Sequence, residues 1–259
     1  MQSEIAQRLK LRYSPVAVLF TNEKPQGALE FKEGHWGCVA AMLTAAAKGR
    51  QAVFSRTTFG CEGGGIGLGL TQQYSAGMEY FLSTGGEGFA PVAGIREPEG
   101  FKKTPELAKA WMDSVPSIKI EEQYIVFKAL SEVNSAEEEP KVVVFYANPD
   151  QLTALVVLAN YGRPGFDSVM VPFASGCQTT CLFPWSEAAS EQPRAVIGMT
   201  DISVRPRIDA DLLSFSVPYI MFKEMENNVA GSFLDKHEWK KIAERIPDNS
   251  DIGRSRGRR

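Results

Sequence analysis

The sequence predicts an α+β fold in a single domain, a mixed or mostly antiparallel sheet with helices packed on it. Two observations carry this. Short runs rich in β-branched and aromatic residues, at 15–20, 124–130, 141–147 and 213–218, are interspersed with helical patterns without the regular strand–helix–strand rhythm of a parallel sheet. No linker divides the 259 residues, the acidic stretch around Glu137 being the one candidate boundary. The domain is expected to span residues 1–247. A basic tail at 248–259, with Arg254, Arg256, Arg258 and Arg259, reads as a disordered, solvated terminus.

Each element has a local reason. Ile5 and Leu9 share a helical face, and the run from Pro15 reads as a buried strand that begins at its proline. The alanine-rich run after Cys38 is a good helix stopped by Gly49, which puts Cys38 in its first turn. Residues 51–55 form a further strand. The stretch 59–69, FGCEGGGIGLG, is too rich in glycine for a rigid core element and is expected to be a loop. Helical patterns follow at 76–82 and 105–113, the second opened by Thr104 and Pro105, with a glycine-rich link at 85–88 between them. Asn148-Pro149 starts a helix that Gly162 and Pro164 end. A strand at 169–173 leads into a helix whose first turn holds Cys177 and whose next turn holds Cys181. Strands at 194–199 and 213–218 and helices at 219–227 and 235–246 complete the chain.

A net charge of −3 gives no basic field for nucleic acid. No apolar run approaches the ~18 residues of a membrane helix. The opening MQSEIAQRLK reads as an amphipathic helix rather than a secretory signal, so the expected compartment is the cytoplasm. In a reducing compartment, four cysteines are better read as ligands, nucleophiles or small buried hydrophobes than as two disulfides.

The cysteines carry the functional signal. Three follow a glycine directly, in Gly37-Cys38, Gly60-Cys61 and Gly176-Cys177, and Cys181 lies one helical turn beyond the third. Glycine lets the backbone come close to a bulky inorganic centre and turn its amides toward sulfur. Cys38, Cys61, Cys177 and Cys181 are therefore candidate metal ligands, with Gly60, Gly63, Gly64 and Gly176 conditioning the site. Scattered cysteines suit an iron–sulfur cluster, 4Fe–4S above all, better than zinc, whose structural sites use tighter knuckles; zinc stands as the alternative cofactor. Cys38 and Cys177 at helix N-termini would gain thiolate character there. A reactive thiol pair, or four cysteines that simply pack, are the competing readings.

Other motifs are weaker. The glycine stretch lacks the Lys-Ser/Thr ending of a Walker loop and does not fit G-x-G-x-x-G. His35, three residues before Cys38, could reach the same centre, whereas His237 reads as solvent-facing. Asp201, Arg205, Arg207 and Asp209 cluster charge after a strand, where Arg205 either binds an anion or makes an ion pair.

On the segments LKLRYSPVAVLF, GCVAAMLTAAAKG, FGCEGGGIGLGL and RAVIGMTDISVRPRIDADLLSFSVPYIMFKEM, the chain resembles the uncharacterised-domain family numbered 169, found in archaea and bacteria. The resemblance covers nearly the whole length. It implies an α+β single-domain fold and supplies no reaction. C-x3-C at Cys177 and Cys181 is not expected in every member, which leaves the fourth ligand less secure than the first two.

The functional expectation is an iron–sulfur protein in redox or electron transfer, its partner an electron carrier or a small molecule, with self-association left open. An iron–sulfur oxidoreductase is its enzymatic form, in which three ligands and an open iron would take a small substrate beside His35, Glu62 or Arg205. A small-molecule binding module with non-ligand cysteines, or a zinc-stabilised fold, is the alternative.

Overall fold

The computed structural model describes residues 1–92 and 95–247; the basic tail foreseen at 248–259 lies outside them. In chain order the elements are α1 (Glu4–Arg8), β1 (Val16–Thr21), α2 (Val39–Ala47), β2 (Ala52–Phe54), α3 (Glu62–Gly67), α4 (Met78–Leu82), α5 (Pro105–Ser114), β3 (Tyr124–Ala129) and β4 (Val142–Ala147). Then come α6 (Pro149–Tyr161), β5 (Val169–Met170), a π-helical turn (Gln178–Leu182), α7 (Phe183–Glu187), β6 (Ala195–Gly198), β7 (Leu213–Pro218), α8 (Tyr219–Asn227) and α9 (His237–Glu244).

The strands form one sheet in the order β2-β3-β1-β4-β7-β6-β5, antiparallel at every junction except β5–β6. This is the expected α+β fold with a mostly antiparallel sheet. Strand periodicity divides the core in two. Ala17, Val143, Phe145, Phe215 and Val217 face a layer containing Ile5 of α1, Leu155 and Leu158 of α6, Met221 and Met225 of α8 and Trp239 of α9. Val16, Val18, Val142, Val144 and Tyr146 face the other way, onto Val39 and Leu43 of α2, Leu68, and Cys177 and Cys181. Both faces of β4 are therefore covered, which explains why its six residues are all buried. Full burial of a side chain such as Leu155 or Val144 stabilises by about 1.5–3 kcal/mol.

Capping fixes where the helices begin. Asn148 and Gln151 form a reciprocal capping box on α6, and the Gln151 amide donates to the carbonyls of Leu9 and Lys10, tying α6 to the end of α1. Thr104 accepts from the Leu107 N–H on α5, with Pro105 in the first turn.

Two expectations are corrected. The glycine stretch expected as a loop contains α3, whose Gly64, Ile66 and Gly67 are buried. Each glycine costs a helix up to about 1 kcal/mol relative to alanine, but here the absent side chains permit close packing. A Cβ at Gly64 would lie 2.7 Å from Val39 Cγ2, and one at Gly65 2.9 Å from the Phe59 ring. The strand expected at 169–173 stops at Met170, and Phe173 goes instead into an aromatic contact with Trp111.

Candidate functional site

The three Gly-Cys dipeptides are brought to one region on the second face of the sheet. Cys38 is the N-cap of α2, and Cys61 is the N-cap of α3, its sulfur accepting from the Gly64 N–H at 3.3 Å. Cys177 immediately precedes the π turn. Their neighbourhood is built by backbone-to-backbone approach that only glycine allows. Gly60, at φ +84°, lies so close to the Gly37 carbonyl that a Cβ there would stand 2.5 Å from that oxygen. The ring of Phe31 covers both glycines. A Cβ at Gly67 would meet the Cβ of Cys177 at 2.6 Å and the Gln178 nitrogen at 2.7 Å, so the end of α3 rests on the start of the Cys177 helix. Gly176 is glycine because Met199 and Val204 fill the space in front of it, and Gly63 meets Ser175 at ordinary contact distance.

The electrostatics record the same convergence. Burial raises the Cys61 thiol to about 11, against the N–H of Gly64, and the charge of Cys38 raises it further. Burial also drives the Cys177 thiol well up, and Cys61, Cys38, Asp201 and Cys181 add to the rise. The thiolate character expected at the Cys177 helix start is thus overridden by desolvation, which makes a free thiol nucleophile there unfavourable at neutral pH. Cys181 stands apart from the other three. It is fully buried in the core, and desolvation alone pushes it up to about 12.

Five polar side chains, Gln178, Tyr74, Tyr146, Asp201 and Glu62, surround the group. Gln178 is buried; its amide accepts from the Ser175 N–H at 2.9 Å and donates to the Tyr74 hydroxyl at 2.7 Å. Tyr74 is raised by burial, and the charges of Cys177, Glu62 and Cys61 act on it in the same direction. Tyr146, on β4, senses Cys177 and Cys38. Asp201, buried after β6, accepts from the Ser203 N–H and hydroxyl and, at 3.4 Å, from the Gly176 N–H beside Cys177. Glu62 holds the Ser75 N–H and hydroxyl, which pins the segment after α3 over the site.

The remaining sequence candidates fall elsewhere. His35 is exposed, its ring nitrogen paired with the Glu33 carbonyl, and His237 is exposed at the start of α9. Arg205 serves neither proposed role, because its guanidinium donates to the carbonyls of Leu212 and Ala210 and closes its own loop. Asp209 is the ion-pair member of that cluster, bound to Arg12 together with Asp211. Tyr74 and Tyr146 reach the region through tertiary contacts that no local spacing records, whereas Gln178, directly after Cys177, is in the local sequence but carries no motif.

Among the described residues, no three His, Cys, Asp or Glu side chains stand close enough to hold a single metal ion. A multi-iron cluster spans a wider gap between its thiolates than one ion does. Among the same residues no helix is long and apolar enough to cross a membrane.

No curated protein and no solved structure matches the chain. A family model does, over residues 4–228, a span that includes all four cysteines and every strand of the sheet. The chain belongs to that family, domain of unknown function 169, described as Uncharacterised ArCR.

Proposed function

We propose that this chain is an iron–sulfur protein in which the thiolates of Cys38, Cys61 and Cys177 hold the cluster, and that it works in electron transfer or redox chemistry in the reducing cytoplasm. One observation carries the reading: Gly37 and Gly60, each directly before a cysteine, approach backbone to backbone, and Gly67, at the end of the helix that Cys61 caps, packs against the backbone of Cys177. Cys177 is buried and Cys38 and Cys61 are half-buried; burial and the neighbouring thiols raise Cys61 and Cys177, which makes a poor site for free thiolates. A multiply charged metal centre would reverse that penalty by supplying the opposing charge. The Gly64 N–H on Cys61 is the kind of hydrogen bond to sulfur that tunes such a centre.

The residues fit a three-thiolate site better than a four-thiolate one. Cys181 is enclosed by the core and coupled to the group only through Cys177. The cluster's fourth position would then be open to a small ligand, flanked by Tyr74, Gln178 and Asp201. Zinc remains the alternative metal, but a single ion would need the thiols drawn closer together.

Anaerobic purification followed by iron–sulfide reconstitution tests the proposal. The expected product is brown and holds iron and acid-labile sulfide in equal amounts, with Cys38→Ser, Cys61→Ser and Cys177→Ser each losing most of both. Colourless protein with its thiols still free after reconstitution would overturn it in favour of a binding module with packing cysteines. One equivalent of zinc would overturn it in favour of a metal-stabilised fold.

A further inference from the structure

The residues that directly follow Cys61 and Cys177 hold two consecutive residues of another segment. Glu62, next after Cys61, accepts from the Ser75 N–H at 3.0 Å and from the Ser75 hydroxyl. Gln178, next after Cys177, donates to the Tyr74 hydroxyl at 2.7 Å while its amide oxygen accepts from the Ser175 N–H at 2.9 Å. Gln178 is fully buried, so the Tyr74 hydroxyl is what answers its amide nitrogen there.

Tyr74 and Ser75 lead into α4 and α5, and these two helices form a packing unit of their own. Met78 and Phe81 of α4 and Ala108 of α5 are buried, yet none of the three belongs to either core layer of the sheet. The helices pack on each other. Between them, the Glu99, Gly100 and Lys102 N–H groups donate to the carbonyls of Phe81, Ser83 and Leu82, which ties the approach to α5 along the end of α4.

The unit is joined to the body at a narrow base. The Gln72 amide donates to the Ile118 carbonyl at 2.9 Å and accepts from the Ser117 hydroxyl, so the chain leaves the body and returns to it at one clasp. Away from the clasp the unit is seated on Phe173, four residues before Cys177. Trp111 of α5 donates its indole N–H to the Phe173 carbonyl at 3.0 Å, and the two rings lie 5.5 Å apart. A unit with a separate apolar interior, held by hydrogen bonds and one aromatic seat, opens at lower free energy than the sheet unfolds. Opening breaks the Tyr74 and Ser75 bonds together, because the two residues are adjacent in the chain.

We propose that α4 and α5 form a hinged lid over the Cys177 turn, latched by Tyr74 on Gln178 and by Ser75 on Glu62, with its pivot at the Gln72 clasp. Closed, the lid keeps Gln178 and the neighbouring thiol away from water. Open, it gives solvent and small molecules a path to Cys177. The lid controls access whatever the cysteines hold, so the inference stands apart from the iron–sulfur reading.

Thiol modification of the 259-residue chain, freed of metal by a chelator, tests this. The probe is iodoacetamide, which is small and neutral, and peptide mapping follows each cysteine separately under native conditions. Tyr74→Phe removes the latch hydroxyl and keeps the ring beside Trp111; Glu62→Asp keeps the charge near the thiols and draws the carboxylate back from Ser75. Each variant is expected to speed the modification of Cys177 by about three- to tenfold, the effect of one lost hydrogen bond on an opening equilibrium. Cys181 is the internal reference. It lies fully enclosed in the π turn and reacts only when the body itself unfolds, so its rate should stay at the wild-type value. Cys177 reacting at the wild-type rate in either variant, or Cys177 and Cys181 accelerating together, would overturn the lid.

Discussion

Gly67 and Cys177 touch so closely that a methyl group added to the first would fall 2.6 Å from the Cβ of the second. In an ordinary helix Gly→Ala stabilises by about 0.5–1 kcal/mol. At Gly67 the neighbours are the backbone and Cβ of Cys177, which cannot rotate away. Gly67→Ala is therefore expected to destabilise by about 1–3 kcal/mol and to lower metal loading by pushing the Cys177 turn off α3. Gly63→Ala is the control, because its new carbon would meet Ser175 at 3.6 Å and the residue lies in the same helix. It should be neutral or stabilising by up to about 1 kcal/mol. Denaturant melts and iron content of the two variants check the pair; similar behaviour of both would contradict the packing account.

Cys181 gives a second separation, between packing and ligation. It is fully buried on the side of the π turn that faces the core. Cys181→Ala is expected to cost about 1–2 kcal/mol through the small cavity it leaves while retaining the iron and sulfide of the wild type. Loss of the cluster in a variant that still unfolds cooperatively would make Cys181 the fourth ligand.

How far the sequence discloses this molecule depends on whether an element is specified by its neighbours in the chain or by its neighbours in space. Strands β1, β3, β4 and β7 are legible because their β-branched runs are local, and α5 and α6 because Thr104-Pro105 and Asn148-Pro149 announce their starts. α3 is not legible, since four of its six residues are glycine and its stability comes from Val39, Phe59 and Cys177, none of which is its own sequence. The same division runs through the site. The Gly-Cys dipeptides point to Cys38, Cys61 and Cys177, and their glycines have separate reasons: the Phe31 ring at Gly37, the Gly37 carbonyl at Gly60, and the Met199 and Val204 side chains at Gly176. Cys181 is visible on spacing, since i and i+4 share a face, and it lies with Cys177 in the same core cluster; its full enclosure there is what local spacing does not record. Asp201 is visible as part of a charge cluster, yet its hydrogen bond to Gly176 crosses 25 residues.

A last prediction concerns pH and the opposite face of the sheet. Glu226 of α8 receives the Ser3 hydroxyl and the Glu4 N–H at the start of α1, bonds that favour its charged form. Burial outweighs them, and the carboxyl is held above its ordinary value. The folded state therefore binds this proton more tightly than the unfolded chain does. The resulting stabilisation is fully present below the unfolded value and is lost as pH rises through the raised folded value. Glu226→Gln keeps an oxygen for Ser3 and Glu4 but removes the titration. Urea denaturation across the acidic to neutral range should show the variant at least as stable as the wild type near neutrality, with the advantage vanishing below about pH 4, as Glu226 becomes protonated in the unfolded state as well. A variant that is less stable at neutrality and follows the wild-type pH slope would show that the charged bonds to α1, rather than desolvation, dominate at this position.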